Sequence, residues 1–196
     1  MIHHIDVHTV LQRCVCDLYS NLVTRPTGVA VRTGIEQLLA AAPRQPTLTV
    51  IDFSNVGLLD YSCADEIVAK LLLQYVSVDT PRREVYFVFR GISDSHLDAI
   101  EAVLERHQLA LVSQFADGAP RLIGTVGGNE RKTWEAISEL GAGGAADVAG
   151  ASGISSDDAA LMLDTLWRRR LVIRYEDGYA AVGAATETMI PLRMGA

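Results

Sequence analysis

Between Asp60 and Glu66 the sequence reads Asp-Tyr-Ser-Cys-Ala-Asp-Glu, gathering three carboxylates, two hydroxyls and a thiol in one short stretch. Asp60, Asp65 and Glu66 have the chemistry to bind a metal or a basic partner. A solvated helix N-terminus, where the macrodipole favours negative charge, accounts for them more simply. Ser62 followed by Asp65 has the spacing of a capping box, each side chain satisfying a free backbone N–H at a helix start. Cys63 in such a place is a candidate for a lowered pKa and for reactivity, although a buried, inert side chain is the simpler expectation. Asp52, closing an apolar run, is expected to be structural.

A second group of ligating residue types lies at His3, His4, Asp6 and His8, with Cys14 and Cys16 downstream. Strand alternation would place His4, Asp6 and His8 on one face. Neither a CxxC pair nor HExxH accompanies them, so the expectation is an exposed terminal strand and no metal. Thr24-Arg25-Pro26-Thr27-Gly28 and Arg32 offer guanidinium groups to an anion or a partner; covering apolar surface with their stems is the simpler role. The sequence contains no GxSxG, P-loop or GxGxxG, and Gly127-Gly128 lacks the lysine that would hold a phosphate. No catalytic constellation and no cofactor follow from these residues, and a non-enzymatic protein is expected.

The elements that position these groups can be read from periodicity. Helical spacing runs from His8 to Asn21 and from Thr27 to Ala41, divided by Pro26. Leu48 to Phe53 is a β-branched apolar run of strand length, and Ala64 to Tyr75 is a helix burying Ile67, Val68, Leu71 and Leu72. Glu84 to Arg90 is a second strand, followed by a helix capped by Ser93 and running through His107. Leu109 to Phe115 and Pro120 to Gly124 are shorter extended segments. Strands alternating with helices imply an α/β layer, a sheet covered by helices. After a linker at Gly124 to Asn129 the pattern changes to helices at Lys132 to Leu140, Ala145 to Ala151 and Ser155/Ser156 to Arg169. An Asp177-Gly178 turn between Leu171–Tyr175 and Tyr179–Val182 then signals a hairpin.

Composition bounds the answer. A chain of 196 residues, 49% hydrophobic, fits two compact units better than one. Three cysteines suit a reducing compartment, and no disulfide is expected. No apolar run reaches the roughly 18 residues of a membrane span, and Met1 to Val7 has no basic region leading an apolar stretch. A soluble, cytoplasmic protein is expected. The net charge is −7, dividing into −4 before Thr125 and −3 from it onward, so neither half is basic and DNA binding is disfavoured.

The run Val50-Ile-Asp-Phe-Ser-Asn-Val-Gly-Leu-Leu-Asp60-Tyr-Ser-Cys-Ala-Asp65-Glu resembles the central signature of STAS (sulfate transporter and anti-sigma factor antagonist) domains, in a divergent subgroup where Ala-Asp-Glu follows the serine. The likeness spans residues 1–124. Residues 130–185, three helices and a hairpin, resemble a small winged helix-turn-helix. The resemblance implies a bacterial-type regulatory protein, anti-sigma factor antagonist-like, acting in signal transduction by protein–protein contact at Asp60, Tyr61, Ser62, Asp65 and Glu66. The implied partner is another regulatory protein, such as an ATP-binding kinase or an anti-sigma-like factor. In such proteins a hydroxyl residue after the aspartate is phosphorylated, and phosphate switches the interface by adding charge. Tyr61 holds that position here, with Ser62 one place later and Cys63 in place of the usual glycine.

In DNA-binding winged helices the third helix presents its N-terminus to the major groove. Here that position carries Ser155-Ser156-Asp157-Asp158, whose carboxylates repel phosphates. Arg168, Arg169, Arg170 and Arg174 are the residues that would serve the alternative, transcription regulation by DNA binding. The sign pattern favours a unit that binds protein or forms dimers.

Overall fold

The computed structural model describes residues 2–16, 20–42, 46–76, 84–115 and 118–183. In chain order the elements are β1 (Ile2–Asp6), α1 (Val7–Cys14), α2 (Arg25–Ala41), β2 (Thr47–Asp52), α3 (Tyr61–Ala64), a π-helical segment (Asp65–Lys70), α4 (Leu71–Val76), β3 (Val85–Arg90), α5 (Asp94–Arg106), β4 (Ala110–Gln114) and β5 (Pro120–Gly124). Then follow α6 (Gly128–Leu140), β6 (Ala142–Gly143), α7 (Ala145–Ser152), α8 (Ser156–Arg168), β7 (Val172–Tyr175) and β8 (Gly178–Ala181).

The chain is mixed α/β. The first five strands form one sheet in sequential order, β1 to β4 parallel and β5 antiparallel to β4. Right-handed crossovers between parallel strands added always on the same side must place every connecting helix on the same face. Alternation along the strands records this. Ile51, Phe87, Phe89, Leu111 and Ile123 face the core built with α1 to α5. Leu48, Tyr86, Val88, Val112 and Leu122 belong to a second core.

That second core is completed by the C-terminal elements, through Trp134, Ile137, Leu163, Leu166 and Val172. Fully burying a side chain of this size stabilises by about 1.5–3 kcal/mol, so the covered face contributes heavily. The elements themselves are the three helices and the hairpin that periodicity foresees, joined by the short β6 in a sheet of order β6-β8-β7. Glu176 and Asp177 make the hairpin turn.

Several boundaries differ from the sequence reading. The helix expected from His8 to Asn21 begins at Val7, because Asp6 caps it by accepting the N–H groups of His8 and Thr9, and it ends at Cys14. Beyond it Leu22 bridges in parallel to Leu59, which requires extended backbone. His8 therefore lies on a helix, and His4, Asp6 and His8 do not share a strand face. The expected linker at Gly124 to Asn129 is shorter, since α6 starts at Gly128, where Glu130 reaches back to the Gly127 N–H at 2.8 Å. Among the described residues no helix is long and apolar enough to cross a membrane.

Candidate functional site

The site lies beyond the C-terminal ends of the parallel strands, where α/β sheets commonly bind ligands. After β2 the chain runs through Val56 to Leu59 beside the extended stretch at 20–24. The N–H of Leu22 donates to the Leu58 carbonyl at 2.7 Å, and that of Asp60 to the Leu22 carbonyl at 2.9 Å. From α5 the buried His96 accepts the Ser93 N–H at Nδ1, leaving Nε2–H to donate to the Gly57 carbonyl at 3.1 Å.

Asp60, not Ser62, caps the helix. Its Oδ1 accepts the Cys63 N–H at 2.7 Å and its Oδ2 the Thr24 N–H at 3.0 Å, while the Ser62 hydroxyl donates to Oδ1 at 2.9 Å. The helix thus starts at Tyr61, three residues before the position periodicity suggests. Burial alone would raise the Asp60 pKa, but the N–H groups of Cys63 and Thr24 outweigh it and hold the carboxylate below its usual range. Thr24 has φ +79°, rare for a β-branched residue. It is held from two sides, by Asp60 at its N–H and by the Cys63 thiol donating to its carbonyl at 3.0 Å.

Asp65 and Glu66 are not a solvated helix terminus. They are 5% and 1% exposed, on the π-helical segment, a feature frequent at functional sites. Arg25 Nη1 lies 2.8 Å from Asp65 Oδ2 and 2.6 Å from Glu66 Oε1. Arg32 Nε donates to Glu66 Oε2 at 3.2 Å, Lys70 pairs with Glu66, and His107 Nε2 donates to Asp65 Oδ1 at 2.7 Å. For Asp65, burial raises the pKa, but hydrogen bonds from Arg25 and His107 prevail and lower it; for Glu66, Lys70 and Arg25 prevail over burial in the same way. Arg25 and Arg32 are therefore counter-ions of this pair rather than stems over apolar surface. Asp65 is spent in this network and completes no capping box.

Gly28 permits the approach of α2, because a Cβ there would stand 3.0 Å from Cys63 Cα and 3.1 Å from Glu66 Cβ. Cys63 is fully buried, and burial followed by the nearby Asp60 pushes its thiol up to about 12. This overturns a lowered pKa at that position: a thiol without solvent and beside a carboxylate is not activated. Asp52, at the end of β2, pairs with Arg90 at 2.7 Å and accepts the Ser54 hydroxyl at 2.6 Å.

Of the five expected site residues only Tyr61 is well exposed, at 38%. Arg106, at the end of α5, donates to its hydroxyl at 3.0 Å. Leu58 is 54% exposed, Val23 is also exposed, and Arg25 keeps much of its side chain in solvent. An exposed tyrosine and aliphatic side chains flanked by two arginines on a hydrogen-bonded base have the make-up of a protein-contact surface, since Tyr and Arg dominate binding hot spots. Sequence reading missed Arg106, His107 and Lys70, whose roles depend on packing between helices. Lys70, four residues after Glu66, was the one with a visible helix-pair signal.

The C-terminal arginines are engaged within the chain. Arg168 pairs with Asp164 at 2.7 Å, and Arg169 with Glu130 at 2.9 Å and the Thr125 carbonyl at 2.6 Å. Arg170 lies 5.6 Å over the Tyr86 ring and Arg174 5.1 Å over Trp167. Ser155 caps α8 by accepting the Asp158 N–H at 3.1 Å. Among the described residues no three His, Cys, Asp or Glu side chains are grouped to hold a metal. No protein-family model, curated protein or solved structure matches the chain.

Proposed function

We propose that the chain is a non-enzymatic, STAS-like regulatory protein of the anti-sigma factor antagonist kind, with a winged-helix unit after residue 130, and that it binds another regulatory protein through the start of α3. The observation that carries this reading is the exposed pair Tyr61 and Leu58, mounted on a turn fixed by Asp60, Ser62 and Thr24. Asp65 and Glu66 serve the surface indirectly, by holding Arg25 beside it. The partner would be an ATP-binding kinase or an anti-sigma-like factor of the cytoplasm.

Phosphate on the two hydroxyls would act differently. On Tyr61 it would meet Arg106, a charge-assisted pairing. On Ser62 it would press against the Asp60 carboxylate and disrupt the cap. Tyr61 is the better placed switch. A role in DNA binding is less well supported, because Arg168, Arg169, Arg170 and Arg174 have partners within the chain and Asp157 and Asp158 stand in the first turn of α8.

The test is affinity capture from native extract with nuclease present, comparing the unaltered chain with Tyr61→Glu and Ser62→Glu. The expected result is a nucleotide-binding regulatory protein retained by the unaltered chain and lost with Tyr61→Glu. Capture of DNA when nuclease is omitted, with no protein enriched, would replace this reading by transcription regulation.

A further inference from the structure

The two edges of the larger sheet differ. β5 begins at Pro120, which has no N–H to offer a further strand, and exposed Arg121 follows it. The chain after β8 also lies against that edge, since a Cβ on Gly183 would stand 2.9 Å from the Pro120 Cβ. β1 forms the other edge, and among the described residues no strand pairs with its outer side. Its sequence, Ile-His-His-Ile-Asp, holds neither lysine nor proline, and it pairs with Leu48 to Asp52 without a bulge. Natural edge strands usually carry such guards, because the outward N–H and C=O groups of a bare edge recruit another strand.

The geometry of β1 suits a second copy of itself. Side chains alternate between the faces of a strand. Ile5 belongs to the core under α1 to α5, and His3 turns the same way. Ile2 packs toward the second core in register with Leu48, so His4 and Asp6 turn to that face. Two copies that meet edge to edge about a two-fold axis normal to the sheet run antiparallel and keep their faces aligned, so directly opposed residues must share a face. The register that uses the whole strand satisfies this rule. It puts His4 opposite His4 on the axis, His3 opposite Ile5, and Ile2 opposite Asp6. His4 is the exposed residue at the centre of β1.

Charge fits the same register. Each His4 is diagonal to the partner copy's Asp6 on one face, about 7–8 Å away, and aromatic side chains pair favourably when directly opposed. Asp6 is fixed in place by the N–H groups of His8 and Thr9, and β1 has no lysine or arginine to repel a copy. One strand edge makes a small contact, below the roughly 1,200–2,000 Å² of a stable complex, so the association is weak and depends on concentration.

We propose that the outer edge of β1 is a self-association surface, on which a second copy of this chain pairs antiparallel about His4 and continues the sheet across a two-fold axis. Such an isologous contact closes on itself and gives a dimer. It uses no residue of the Tyr61 surface, so either reading can stand without the other.

The experiment is sedimentation equilibrium of the full chain at pH 8, from about 10 µM to about 1 mM, with a monomer–dimer dissociation constant expected inside that range. His4→Lys, which sets two ammonium groups facing each other at the axis, should weaken dimerisation about fivefold or more, and β-branched His4→Val should tighten it about twofold. Cross-linking reads the register independently of stability. In a chain carrying Cys14→Ser and Cys16→Ser, so that no accessible native thiol competes, His4→Cys should form an intermolecular disulfide with oxidised glutathione. Opposed residues of antiparallel strands lie about 4.5–5.5 Å apart at Cα, within the span of about 4.4–6.8 Å that a disulfide bridges. Ile2→Cys should not cross-link, because it lies opposite Asp6 rather than its own copy. A chain that stays monomeric up to about 1 mM, a dimer indifferent to His4→Lys, or Ile2→Cys cross-linking as readily as His4→Cys overturns the proposal.

Discussion

The guanidinium of Arg25, at the start of α2, lies 2.6 Å from the carboxylate of Glu66, a side chain almost wholly withdrawn from water. The same nitrogen holds Asp65. An acidic pair that reads as solvated surface is instead the hub on which α2, the π-helical segment and the end of α5 converge. Its stability depends on keeping all its charges paired, since breaking a buried pair leaves an uncompensated charge.

Glu66→Gln should therefore destabilise the protein by about 2–4 kcal/mol, leaving Arg32, Lys70 and Arg25 without their shared carboxylate. Arg25→Ala should lower stability less, because Arg25 is largely solvated and Glu66 keeps Arg32 and Lys70. Urea denaturation of the two variants checks the order. Equal losses would mean that the hub does not act through Glu66.

The pH dependence has a definite sign. Asp65, Glu66, Asp60 and Asp52 all have folded-state pKa values below their ordinary ones, 4.5 for Glu66 and 3.8 for the aspartates. For Asp52, as for the others, burial acts to raise the value and is outweighed, here by Ser54 and Arg90. A depressed carboxylate pKa gives stability that is complete above the unfolded value and is lost as pH falls through the folded one. Urea midpoints should stay level from pH 7 down to about 5 and fall steeply below about 4.5, and Glu66→Gln should make that fall shallower. A midpoint unchanged from pH 5 to pH 3 would contradict these pairings.

Thiol labelling should separate the cysteines. Cys14 is exposed and Cys16 partly so, whereas Cys63 is buried with its thiol raised to about 12. At pH 8 an alkylating reagent should modify the first two and reach Cys63 only when guanidinium unfolds the chain. Mass spectrometry of the labelled peptides gives the result directly. Rapid labelling of Cys63 in the native protein would mean that the turn between Thr24 and Cys63 opens.

Much of the scaffold was visible in the sequence because its signals are local. The apolar runs at β2 and β3, the stripe through Ile67, Leu71 and Leu72, and the Asp-Gly signal of the hairpin, whose turn falls at Glu176 and Asp177, each act locally. The site was less legible, because the fate of its groups depends on partners far along the chain. Whether Asp65 is solvated or buried turns on Arg25 and His107, each about forty residues away and on different helices. Asp60 and Ser62 are both good caps, and the choice between them is made by Thr24, whose N–H approaches from the neighbouring segment. The helical reading ran on to Asn21 for the same reason: nothing in the sequence announces the bridge from Leu22 to Leu59.

The sequential order of the parallel strands has a further consequence. With all five N-terminal helices on one side, the plate formed by Leu48, Tyr86, Val88, Val112 and Leu122 is roofed by C-terminal side chains. A gene fragment ending near Thr125 would display that plate to water as an adhesive surface, and its product would tend to aggregate. The halves are thus poor candidates for shuffling between genes: a new partner for either would have to reproduce the fit of Trp134, Ile137 and Leu166. Heritable change in one half is constrained by the other, although the surface around Tyr61 stays free to diverge.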